Sequence, residues 1–153
     1  METTNVKVVL GEMIFDPDTQ AVAKETVSSI LRAGRRSLRG IERSHAPMKE
    51  MWGWAKLGKP STERGKEMQK ALGNYVKALD EEIDILKELI NLLENPKKDD
   101  FDKLTDSEEV TIRFKDHEKA VDAAYEKLSV YLKDVDATID VIQSSVEEER
   151  EGK

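Results

Sequence analysis

Five apolar residues spaced seven apart, Phe114, Val121, Leu128, Val135 and Ile142, run through the last third of this 153-residue chain. A second row at the same spacing, Tyr125, Leu132, Ile139 and Val146, lies beside it. A strand would throw alternate members of such a row onto opposite faces, whereas a helix gathers them into one stripe. The expected element is a single helix over 106–148, roughly 60 Å long. Thr105 followed three residues later by Glu108 reads as its capping box. A stripe of that length must be buried by other helices, so the spacing predicts an all-α protein.

The rest of the chain agrees. Hydrophobic residues make up 38% and charged residues 37%, with four prolines and eight glycines, a mix suited to long helices rather than to sheets or disorder. Asp16-Pro17-Asp18 is a helix start, with an N-cap acid and proline at the first helical position. The first helix is expected over 17–44, because Pro47 forbids continuation, with His45 at its end. Its core face reads Val27, Ile30, Leu31, Gly34, Leu38 and Ile41. A short helix over 48–57 carries Met48, Met51, Trp52 and Ala55 on one side, while Trp54 points elsewhere. A second long helix over 61–95 presents Leu72, Tyr75, Val76, Leu79, Ile83, Leu86, Leu89, Ile90 and Leu93.

The expected fold is therefore one domain over 1–153: an antiparallel bundle of three long helices plus the short Met/Trp helix, with coiled-coil-like packing. Short connections make neighbouring helices antiparallel. Residues 1–15 fit neither a clear strand nor a clear helix and are expected as a strap on the bundle. The third helix is longer than its partners, so its far end, Val135 to Val146, needs a cover. The strap and the short helix could supply it, but the heptads favour a second subunit, with a dimer as the first expectation.

Several function classes are excluded or disfavoured. The chain has no cysteine, so disulfides, thiolate metal sites and cysteine nucleophiles are absent. Its first residues, METTNVKVVLGE, lack the basic region and apolar run of a secretory signal, and no stretch approaches a membrane span of about 20 apolar residues. A cytoplasmic protein is expected. No phosphate-cradling glycine loop and no nucleophile elbow occurs. No catalytic residue, metal or cofactor is assigned, and the chain is not expected to be an enzyme.

Net charge is −7 but unevenly placed: residues 32–66 hold ten Lys or Arg against three Glu, while 67–153 hold thirteen basic and twenty-four acidic residues. Within the basic block Arg32, Arg35, Arg36, Arg39 and Arg43 share one helical face opposite the apolar stripe. Planar guanidinium forks suit phosphate and carboxylate. The alternative for this row is neutralisation by the chain's own acids. Trp52 and Trp54 beside it would anchor a partner if exposed, or cap the bundle if not. The expected function is an interaction or assembly role, with a protein partner met through these seven residues. An anionic membrane surface is the runner-up, and nucleic acid is weaker because the acidic remainder opposes it. Finally, Glu82 and His117 both fall on core positions at matching heights of a helical hairpin. They are expected to form a structural polar pair rather than a metal or acid–base site.

Overall fold

A computed structural model describes residues 17–152, which form four helices packed together with no strand among them. They are α1 (Pro17–Ala55), α2 (Glu63–Glu94), α3 (Asp100–Leu132) and α4 (Val135–Glu151). The strap expected over 1–15 and the capping Asp16 lie outside the described residues. Pro17 and Asp18 open α1 as expected, since proline needs no helical donor there and an acid suits the positive helix end.

Helix boundaries differ from the sequence expectation at three places, two of them in opposite ways. Pro47 does not end α1, which runs unbroken through it to Ala55. The separate short helix over 48–57 is thus the last turns of α1, and His45 sits inside the helix rather than at its end. Proline in a helix interior costs about 3 kcal/mol. Burial of the segment beyond it offsets that cost. Ala55 is buried in a cluster with Met68, Leu72, Val76, Leu128, Ala137 and Val141, and Met48 and Trp52 pack against that cluster.

Conversely, the helix expected over 106–148 is broken at Lys133–Asp134 into α3 and α4. No proline or glycine marks the place. Asp134 has extended backbone and accepts the Ala137 amide at 3.1 Å, which makes it the N-cap of α4. The start of α3 also moves. Asp99 Oδ1 accepts the Asp102 amide at 2.8 Å, so the helix begins at Asp100 and not at 106. Thr105 makes no capping box; its hydroxyl donates to the Phe101 carbonyl at 3.0 Å.

The described residues fall into two compact units that draw on the same helices. The first comprises residues 17–39 with Ile85–Arg113. Its buried apolar side chains are Ala23 and Val27 of α1, Leu86, Leu89, Ile90 and Leu93 of α2, and Val110 of α3, with Ser107 buried beside them among the described residues. Gly34 approaches α2 closely enough that a Cβ there would touch Ile90 at 3.6 Å.

The second unit comprises Gly40–Asp84 and residues from Phe114 onward, centred on the Leu72 cluster. Three glycines permit its closest approaches. A Cβ on Gly65 would sit 2.1 Å from Asp140 Oδ2, one on Gly58 2.5 Å from Ser144 Oγ, and one on Gly73 2.7 Å from the Trp52 ring. Asp140 of α4 caps the start of α2 from outside that helix. Its carboxylate accepts the Ser61 and Thr62 amides at 3.0 and 2.9 Å and both hydroxyls at 3.0 and 2.7 Å. Those hydrogen bonds hold its pKa down at about 2. Thr62 in turn accepts the Gly65 amide at 3.0 Å, so two side chains in series satisfy the first turn of α2.

Candidate functional site

All five arginines of the row on α1 are exposed. Arg32 to Arg39 belong to the first unit and Arg43 to the second. Among the described residues, neutralisation by the chain's own acids reaches only one of them. Arg35 forms an ion pair with Glu94 of α2, its Nε 3.1 Å from the carboxylate. Arg32 donates to Ser29 Oγ at 3.3 Å, an uncharged neighbour on its own helix. Among the described residues no acid lies within ion-pair distance of Arg36, Arg39 or Arg43.

The tryptophans do not extend this surface. Trp52 is half-buried over Gly73 and packs against the core of the second unit. Trp54 is also half-buried, and its indole N–H donates to Glu149 of α4 at 3.1 Å. Both rings are used where α1 meets α2 and α4. The different directions inferred from helical spacing are present, but each direction finds a neighbour inside the unit.

Glu82 is buried, and His117 is half-buried in the same unit, yet no hydrogen bond joins them. His117 Nε2 instead lies 2.7 Å from the Ala78 carbonyl and 3.9 Å from Glu81 Oε2, one turn and one residue before Glu82. The heptad register brought the two residues to the same level, but the imidazole reaches a backbone acceptor first. Burial raises the Glu82 pKa, and the nearby Glu118 and Asp122 carboxylates add to this while His117 opposes it. His45 is the other histidine. Burial and Lys49 depress its pKa, and its Nδ1 is buried with no hydrogen-bond partner. Among the described residues no group of three or more His, Asp or Glu could hold a metal ion, and no helix is long and apolar enough to cross a membrane.

Two further surfaces lie in the second unit; the sequence singled out Val135 to Val146 as needing a cover but gave no sign of the second. One is the outer side of α4. The break at Lys133–Asp134 resets the helical phase, so Ala137, Val141, Ser144 and Ser145 turn inward. Val135 and Ile142 are left 68% and 44% exposed, and Ile139 at 44% continues a row whose Tyr125 and Leu132 are already exposed before the break. The other is a groove of about 670 Å³ between α2 and α3, with Ala71, Ala120, Ala123 and Ala124 lining it and Lys70 and Lys127 beside them. The alanine spacing was legible in the sequence, but a run of small residues says nothing about a groove until its neighbour is placed.

The chain matches no known family model, no curated protein and no solved structure. Any functional reading must therefore come from its own surfaces.

Proposed function

We propose that this chain is a non-enzymatic interaction and assembly protein of the cytoplasm: an antiparallel, coiled-coil-like helical bundle that self-associates and binds an acidic protein partner through the arginine row of α1. The single observation that carries the reading is the set of exposed, unpaired guanidiniums at Arg36, Arg39 and Arg43 in a chain of net charge −7. Acids are plentiful, yet among the described residues none is spent on these three. Antiparallel packing is supported by the order of contacts in the second unit. His117, Tyr125 and Tyr131 of α3 meet Ala78, Tyr75 and Glu67 of α2, rising along one helix as they fall along the other.

A membrane role is less well supported, because the two tryptophans that would insert are engaged within the second unit. The test compares the wild-type chain with an Arg36→Glu, Arg39→Glu, Arg43→Glu variant against three probes. These are an acidic peptide, vesicles containing anionic lipid, and a duplex oligonucleotide. Salt-sensitive binding of the acidic peptide is expected, weakened at least tenfold in the variant, since each exposed pair contributes up to about 1 kcal/mol and reversal adds repulsion. Binding of vesicles or oligonucleotide alone would shift the reading to the corresponding partner. Wild-type silence toward all three probes would refute a functional arginine row.

A further inference from the structure

The second unit exposes an apolar helix face and an apolar groove on the same chain, and each has what the other lacks. We infer that they are the two halves of an interface with a second copy of this chain, the outer face of α4 from one copy seating in the α2–α3 groove of the other. The inference deepens the self-association in the reading above and rests on it; the arginine row plays no part.

Size is the first support. Val135, Ile139 and Ile142 follow one another at spacings of four and three, with half-buried Val146 completing the stripe. From Val135 to Val146 is eleven residues, roughly 16 Å of helix. On α3 the groove extends from Ala120 to Tyr131, again eleven residues and roughly 16 Å. Shape is the second. The stripe consists of β-branched knobs, and four of the ten residues lining the groove are alanines, so bulky side chains on one surface meet space on the other.

Charge is the third. Residues 135–151 carry six acids against the single Arg150, and Asp136 and Glu147 flank the stripe along one edge. Pairing α4 with another α4 would bring like charges together, whereas the groove offers Lys70 and Lys127 against one acid, Glu67, whose carboxylate accepts the Tyr131 hydroxyl at 3.0 Å. The chain's own α4 does not fill its groove. It is tied to the start of α2 by Asp140, its opposite side is buried, and its stripe remains exposed. Each copy thus has one insert and one seat, so a twofold dimer can close with both grooves filled.

The test is the association state of the full chain by sedimentation velocity from 1 to 200 µM. Two single variants are compared, Ile139→Asp on the insert and Ala123→Trp in the seat. Both positions are exposed, so circular dichroism and melting should match the wild type. The wild type is expected to be a dimer. Each variant alone should weaken association at least tenfold, and an equimolar mixture should form heterodimers, because one intact seat then meets one intact insert. Arg36→Glu, Arg39→Glu, Arg43→Glu should leave the dimer unchanged. A wild type that stays monomeric throughout would overturn both this interface and the self-association in the reading above. A dimer indifferent to both variants would overturn the interface alone. Disruption by each variant without recovery on mixing would overturn the pairing of insert with seat.

Discussion

Pro47 lies inside an unbroken helix, while Lys133–Asp134, with neither proline nor glycine, breaks one. The contrast between these two places explains most of the molecule. At Pro47 the local cost is outweighed by what lies beyond it: the Met48 and Trp52 side chains pack onto the Leu72 cluster and the helix continues to reach them. At Asp134 the helix could continue locally, but stopping gives more. Asp134 caps α4 and accepts Arg64 Nε at 2.9 Å, and the turn lets Asp140 reach Ser61 and Thr62. Helix ends here are decided by tertiary partners, which override the residue-level signals.

The largest expected effect comes from removing what holds the segment beyond Pro47. Trp52→Ala should destabilise the fold by about 3 kcal/mol, with amide protection lost selectively over 48–55. A native-like melt with that protection intact would show that the helix passes Pro47 without help from the core.

Next is the anchor of α4. Asp140→Ala should cost about 1–2 kcal/mol, the range for a lost cap, and expose Val141 to exchange. Its pH dependence sharpens the point. The Asp140 carboxyl is held at about 2, below its ordinary 3.8, so its contribution is complete above about pH 4 and is lost as pH falls toward 2. Asp140→Asn should flatten acid unfolding in that window. An unchanged acid transition would argue against the cap.

Pro47→Ala should act in the other direction, stabilising by about 1–3 kcal/mol with no change of structure, because it restores a helical donor. Destabilisation would mean that the backbone geometry proline imposes at position 47 is needed to place Trp52.

The smallest effect concerns Glu82. Its pKa is raised, so its burial is tolerated best when protonated and stability is lost as pH rises through that value. Glu82→Gln should raise Tm at pH 7 by roughly 2–4 °C, equivalent to about 1 kcal/mol. A lower Tm would reveal an ion partner for Glu82, with His117 as the first candidate.

How far the sequence was readable follows the same division. On α2, the expected face from Leu72 to Leu93 is buried at every position but half-buried Tyr75, because one uninterrupted helix keeps its phase from end to end. On the helix expected over 106–148, Leu128 is fully buried, but Val135 and Ile142, in the same sevenfold row, are not. One break between them rotates everything that follows, and the break is caused by Arg64, Ser61 and Thr62, some 70 to 80 residues away in sequence.

The arginine row was legible as a face because it lies on one helix. That Glu94 would take Arg35, and that Arg36, Arg39 and Arg43 would find no acid among the described residues, required the neighbouring helix to be in place. The partner-binding role expected for Trp52 and Trp54 depended on exposure, which no spacing rule reports.

The placement of α4 carries the most weight, since it sets both the outward stripe and the inward anchor, and nuclear Overhauser spectroscopy reads it directly. Contacts between the Gly58 Hα protons and the Ser145 amide are expected, because a Cβ at Gly58 would lie 3.0 Å from that nitrogen, together with a gap in helical i to i+3 contacts at Lys133–Asp134. An unbroken series of such contacts from Val130 through Asp136, with none between Gly58 and Ser145, would contradict the broken helix and everything built on it.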